Sequence, residues 1–307
     1  TKAILFTTAG FLAVLAAIWA LNRWIIHPAF DELESAQALE DSARAAAAIR
    51  NELRQLDNTL GDWAEWDDAY AFSETRDPAF IQSNFSNWPT LEKTTRLNFS
   101  LILNRDGQVL YSAGYDSDLG GIISLSAFSG EQPAILPLLQ PVLTQQQHRA
   151  GLLRTEHGLL LLAARPILTS QGTGPARGAL VFGRLLDAPL TEALAEQTRV
   201  RFTVLAADDP RLTAEEQDWL RTLPPDAPHL RVDGMGAKFS YQTLSSLDGQ
   251  PAALIRTPIR QEISATAQRA GSTLIGTLGL AALALLIGSA VYAGRVKSDE
   301  LSMVNTG

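Results

Sequence analysis

Residues 30–72 read FDELESAQALEDSARAAAAIRNELRQLDNTLGDWAEWDDAYAF. The stretch has no proline and is rich in Ala, Glu, Leu, Arg and Gln, the residues that lose least on entering a helix, so it predicts many uninterrupted helical turns. Ile49, Leu53, Leu56, Leu60 and Trp63 recur at alternating steps of four and three, which makes one apolar stripe. Such a stripe is the seam either of a coiled coil or of a long helix lying on a sheet. Toward its end Asp62, Trp63, Trp66, Asp67, Asp68 and Tyr70 crowd together. If the helix continues, at about 100° per residue, Trp63, Trp66 and Tyr70 share a narrow arc bordered by Asp62 and Asp67. Two readings fit that face: aromatic plugs of a core whose aspartates cap loops, or a ligand or partner site for a cationic or amine-bearing group.

Upstream, Ala3–Ile26 is apolar except for Asn22 and Arg23 in its last turn. About 20 residues at ~1.5 Å each cross the ~30 Å hydrocarbon core of a bilayer, so residues 3–26 are expected to form a first transmembrane helix. A cleaved signal peptide competes with that reading, but the run is long, and bulky Trp19 and Trp24 stand where small cleavage-site residues are required. A second apolar stretch, Ser272–Ala293, predicts a second span at 272–293 and a cytoplasmic tail at 294–307. Lys2, Arg295 and Lys297 barely outnumber Arg23 and Arg269, so charge alone gives little support for cytoplasmic termini.

Between the spans, residues 27–77 are expected to form an extracytoplasmic stalk helix, and Asp77-Pro78 reads as a helix N-cap followed by proline at the first position. The pattern then turns to period two. Leu97–Asn104, the turn Arg105-Asp106-Gly107 and Gln108–Ala113 predict a hairpin. A helical interlude follows near Ala134–Gln147. Gly151–Arg154, Leu159–Leu168 and Gly178–Leu186, separated by turn residues, then predict a three-stranded meander. Residues 78–198 are thus a sheet domain that closes with a short helix at Pro189–Thr198. Strands at Arg201–Leu205, Leu230–Val232, Lys238–Leu247 and Ala252–Pro258 place a second, membrane-proximal group at 199–260. The class is α+β, with a long N-terminal helix packed on antiparallel sheets and a transmembrane helix on either side.

The run Asp62-Trp63-Ala64-Glu65-Trp66-Asp67-Asp68-Ala69-Tyr70-Ala71-Phe72, with Phe80-Ile81 and Asn84 after it, resembles the signature of the fourth class of CHASE extracellular sensor domains. Arg105-Asp106-Gly107, Arg165-Pro166-Ile167 and Gly178–Arg184 before Leu186-Asp187 resemble that family's later strands, and the likeness spans roughly Leu39–Leu194. The resemblance implies a Cache- or PAS-like fold in the periplasm, anchored in the inner membrane by two spans. It also implies service as the sensor of a diguanylate cyclase or cyclic-di-GMP phosphodiesterase. Any small-molecule ligand would then involve the sheet and the loops over it, and Trp63, Trp66, Asp67, Tyr70, Arg165 and Arg184 are the candidate ligand- or partner-binding residues. Because little chain follows Ala293, a non-catalytic accessory or scaffold subunit of a larger membrane complex is the alternative expectation.

Composition narrows the remaining classes. A formal net charge of -8 with no basic stripe argues against nucleic acid. The absence of cysteine removes thiolate ligands and cysteine nucleophiles, and the four histidines, His27, His148, His157 and His229, lack zinc-site spacing. Asp67 and Asp68 diverge by about 100° on a helix and cannot act together on one substrate atom. No catalytic residue, metal or cofactor is therefore expected. The expected partners are membrane lipid, a second copy or other subunits of a membrane complex, and a small-molecule ligand.

Overall fold

The computed structural model describes residues 2–131, 133–232 and 238–259, with scattered positions between 269 and 291. The chain divides into two units, Leu39–Pro258 and Thr1–Ala38 with Ile259–Gly307. The latter holds α1 (Lys2–Leu21), a π-helical turn (Asn22–Ile26) and the first residues of α2 (His27–Ala64), whose remainder belongs to the former. The helical run from Ala9 is long and apolar enough to cross a membrane, and its most apolar window, of mean hydropathy 1.7, buries none of its residues. Trp19 and Trp24 meet edge to face at 6.5 Å within it. The described residues of the second expected span, 272–293, are helical, while its remaining positions and the tail, 294–307, lie outside the described residues.

In the unit Leu39–Pro258 the stripe on α2 is buried against sheet. Ala45, Ile49, Leu56 and Leu60 share one apolar cluster with Leu161, Ala163, Leu180 and Phe182 of a first sheet and with Ala253 and Ile255 of a second. Of the two readings of the seam, helix on sheet is the one observed within this chain. The helix does not run on to Tyr70, however. It ends at Ala64, Trp66 is extended (φ -126°, ψ 129°), and α3 (Asp67–Thr75) starts afresh. The cause is tertiary. The Leu168 N–H, from the loop after the fifth strand, donates to the Ala64 carbonyl at 2.9 Å. Asp67 and Ser170 bond reciprocally: the Asp67 N–H donates to Ser170 Oγ (3.1 Å) and the Ser170 N–H to Asp67 Oδ1 (3.0 Å). These bonds satisfy the groups that a helix end leaves open, so the expected stalk helix of 27–77 is two helices with a corner between them.

Two short helices follow. Asp77 caps α4 (Pro78–Phe85) through Ala79 N–H, as its Asp-Pro start predicts, and Asn87 caps α5 (Trp88–Thr95) through Thr90 N–H. The first sheet comprises β1 (Phe99–Asn104), β2 (Val109–Asp116), β3 (Gly121–Ile123), β4 (Arg149–Thr155), β5 (Gly158–Pro166) and β6 (Gly178–Leu185). Its order is β3-β2-β1-β6-β5-β4, and every pair is antiparallel. The predicted hairpin is β1–β2, with Gly107 at φ 79° in its turn, and the predicted meander is β4–β5–β6. Phe99, Leu101, Leu160, Leu162 and Val181 point to the face away from α2, where a 3₁₀ turn (Ser126–Phe128) and α6 (Leu136–Gln145) cover them. Both faces of these strands are buried, which is why they read as apolar runs rather than alternations.

After α7 (Ala188–Thr198) comes the second sheet, β7 (Thr203–Ala206), β8 (Pro228–Val232), β9 (Lys238–Ser245) and β10 (Pro251–Pro258), in the order β7-β10-β9-β8. Its far face packs Leu205, Tyr241 and Leu254 against Leu220 of α8 (Ala214–Thr222). The sequence reading had no α8, although its capping box, Thr213 with Glu216, is formed in full. The two sheets touch where the edge strand β4 meets the β9–β10 turn: the Leu247 N–H and Ser246 Oγ both donate to the Leu152 carbonyl, at 2.7 and 2.9 Å.

Candidate functional site

Period two on β5 and β6 decides where the arginines go. Leu159, Leu161 and Ala163 face α2, as do Leu180 and Phe182, so Arg165 and Arg184 point the same way. Each meets a carboxylate of α2. Arg165 donates from Nε and Nη2 to the two oxygens of Asp57, at 2.8 and 2.7 Å. Those bonds outweigh burial and hold its guanidinium above the ordinary arginine range, with the charges of Asp57, Glu65 and Asp62 adding in the same direction. Arg184 is 7% exposed and pairs with Glu52, itself 7% exposed. Its Nε and Nη2 also donate to the carbonyls of Arg96 (3.0 Å) and Thr95 (2.7 Å), at the end of α5. Burial pushes the Arg184 guanidinium below its ordinary value, Glu52 opposes that push, and Arg96 adds to it.

Beside Arg184 opens a cleft of about 510 Å³. Glu92 and Lys93 of α5 line it with the C-cap Arg96, as do Asp187, Pro189 and Leu190 at the start of α7. Asn98, Tyr115, Ser117 and Arg184 also line it. Asn98, 5% exposed, fixes three elements at once: Oδ1 accepts from the Leu185 N–H (2.9 Å), and Nδ2 donates to Glu92 Oε1 (3.0 Å) and to the Tyr115 carbonyl (3.2 Å). Glu92 Oε1 takes a further bond from Ser117 Oγ at 3.0 Å. Asp187 caps α7 through the Leu190 N–H (2.8 Å). Burial raises its pKa, opposed by that cap bond and reinforced by the charges of Asp118 and Asp116.

The other candidate residues lie elsewhere. Trp63 packs among Trp66 (6.1 Å), Phe85 (5.4 Å) and Phe182 (5.5 Å), and Trp66 also meets Phe80 at 5.9 Å. The corner at Trp66 turns these rings edge to face, so the shared helical arc expected of Trp63, Trp66 and Tyr70 does not form. Asp67 lies in the first turn of α3, bonded to Ser170, whose N–H lowers its pKa. Tyr70 lies under the Arg177 guanidinium, 3.8 Å from its ring centroid, while Arg177 pairs with Glu74 at 2.9 Å. Among the six candidates Arg184 is the residue that lines the cleft. Lys93, Arg96, Asn98 and Asp187 were not singled out. The one readable hint was the Asn87-Trp88-Pro89 start of α5, a cap followed by an early proline, which would have shown that a helix carries Lys93 and ends at Arg96.

The CHASE4 domain matches residues 48–205, about half of the chain's 307 residues. The chain belongs to the CHASE4 family. The match covers the sheet-facing part of α2, the aromatic corner, all of the first sheet and every residue of the cleft. The fold is also shared with the domain of a Vibrio parahaemolyticus protein described as sensory box/GGDEF family, at a TM-score of 0.51 and 15% identity, over 76% of this chain and 98% of that one. The periplasmic domain of Vibrio cholerae LuxQ aligns at a TM-score of 0.45 and 14% identity, over 73% of this chain and all of that domain. No curated protein matches the chain. This CHASE4 chain therefore has the family's mixed α+β sensor-domain fold, built as a long helix on two antiparallel sheets.

Proposed function

We propose that the chain is the extracytoplasmic sensor of a membrane receptor, held in the inner membrane by spans at 3–26 and 272–293 with its sheets in the periplasm, and that it governs cyclic-di-GMP turnover through an output domain. One observation carries the reading. The helical run that begins in the apolar segment ends on the sensor sheet, where two sheet arginines, Arg165 and Arg184, grip it through Asp57 and Glu52. A shift of β5 or β6 is then delivered to α2 as an axial or rotational displacement, because ion pairs resist shear where apolar contacts slide. Membership of the CHASE4 family and the fold shared with the sensory box/GGDEF protein support the same reading.

Membrane lipid and a second copy of the chain are its expected partners, and a small molecule its stimulus. The aromatic corner at Trp63, Trp66, Asp67 and Tyr70 serves this function by locking α2 to the loop at 168–177. Protease added to intact spheroplasts tests the topology. Degradation of the 39–258 body is the expected result, and its survival until the inner membrane is permeabilised would overturn the proposal.

A further inference from the structure

Three cations, Lys93, Arg96 and Arg184, line the 510 Å³ cleft, and the last of them is paired with Glu52. Arg184 is buried against Glu52, its pKa lowered by burial and by Arg96 despite that pair. Glu92, an acid of the same cleft, spends its Oε1 on Asn98 and Ser117. Lys93 and Arg96 are exposed at the rim. Lys93 and Arg96 thus bring two exposed positive charges to a cleft that the buried Arg184 also lines, together with the carboxylates of Glu92 and the half-buried Asp187. A volume of this size suits a metabolite-sized ligand, and an anion placed here gains charge-assisted hydrogen bonds without any new backbone arrangement, since Asn98 already fixes α5, β2 and β6 to one another.

From this geometry we infer that the cleft between α5 and α7 binds a small anion, a carboxylate or phosphate group, on Lys93, Arg96 and Arg184, and that the Arg184–Glu52 pair relays its arrival to α2. The inference deepens the receptor reading and rests on it for its purpose. Its binding step stands on the cleft alone. An anion beside Arg184 competes with Glu52 for the guanidinium, so binding loosens one of the two grips on α2 and leaves the Arg165–Asp57 grip in place. Asp187, which also lines the cleft, favours anions that carry a hydrogen-bond donor as well, because its desolvated carboxyl gains from an approaching hydroxyl or ammonium.

The full chain in lipid nanodiscs, titrated calorimetrically with glycerate, with inorganic phosphate and with glycerol as the neutral control, tests the binding step. Saturable heat is expected with at least one anion up to about 10 mM, and none with glycerol. The double variant Lys93→Gln/Arg96→Gln, confirmed as folded by circular dichroism, should weaken that binding by about tenfold or more. Amide hydrogen exchange then reads the relay. The anion should alter exchange of α2 amides around Glu52 in the unaltered chain, and this response should vanish in Glu52→Gln while saturable binding persists. Absence of saturable heat with both anions overturns the site, and equal affinity in the double variant overturns its placement. Binding with no exchange change in α2 overturns the relay. None of these outcomes depends on which side of the membrane the domain occupies, so failure here is distinct from failure of the topology.

Discussion

Arg184 shows how one side chain can hold an assembly together. It is buried, it carries a charge, and all three of its nitrogens reach a partner: Glu52 of α2 and two carbonyls at the end of α5. Removing its counter-ion should therefore cost much more than a surface pair would. Glu52→Ala is expected to lose roughly 3–5 kcal/mol of unfolding free energy in urea titration, the range for a buried charge left unpaired, while Glu52→Gln, which still accepts a bond, loses less. Two carboxyl groups should respond to pH in opposite directions. At Glu216, 2% exposed, burial works against the charged form, but the Thr213 N–H, the Tyr241 hydroxyl and Arg256 together overcome it and lower the pKa. Its contribution to stability is then present above the unfolded-state value and lost as pH falls through the lower folded-state value. Glu216→Gln should lower the melting temperature at pH 7 and narrow its gap to the unaltered chain in acid. At Asp187 the folded pKa is raised, so the charged form is a cost that sets in as pH climbs through the folded value and persists at neutrality. Asp187→Asn, which keeps an acceptor for the Leu190 N–H, should match or exceed the parent melting temperature at pH 7. Asp187→Ala should lose about 1 kcal/mol with the cap.

Among the elements, the β1–β6 pair is the least tolerant of added volume. Gly178 faces Asn104 across the ladder, and a Cβ there would sit 1.9 Å from the Leu103 carbonyl oxygen, a distance that only backbone movement could relieve. Gly178→Ala should therefore destabilise by roughly 2–4 kcal/mol in chemical denaturation, with β1 and β6 amides losing protection from exchange first. The aromatic corner illustrates the reverse situation, in which local signals misled. Residues 62–72 contain neither glycine nor proline, and nothing within them forbids a straight helix. The break at Ala64–Trp66 is imposed by Leu168 and Ser170, about a hundred residues away, whose backbone groups outcompete the next helical turn. α8 failed to register for a different reason: its nine residues carry few apolar positions, and its hold on the second sheet depends on Leu220 and on the polar set of Glu216, Tyr241 and Arg256.

At the scale of the whole molecule, the cluster beneath α2 joins side chains from both sheets, with Leu161 and Phe182 on one and Ala253 and Ile255 on the other. The sheets also share the bonds at Leu152. Neither sheet can lose its α2 face without exposing the other's, so the 39–258 body is expected to unfold as one unit. In calorimetry its van't Hoff and calorimetric enthalpies should agree, with coincident loss of tryptophan fluorescence and of sheet signal; two resolved transitions would show that the sheets are energetically separate. This coupling is also what lets a cleft on the first sheet influence a helix that lies on both.

The sequence by itself determined the apolar stripe of α2, the Asp77-Pro78 start of α4, the β1–β2 turn at Gly107, the meander and the α+β class, because each depends on propensity or periodicity within a few neighbouring residues. It also placed Arg165 and Arg184 on strands of that meander. Only the tertiary structure decided that the long helix stops at Ala64, that those arginines meet Asp57 and Glu52 more than a hundred positions earlier, and that α5, β2, β6 and α7 line a cleft with Lys93, Arg96 and Arg184. Each of those outcomes is a competition for hydrogen bonds or counter-charges between segments far apart in the chain, and local pattern carries no information about which distant partner wins.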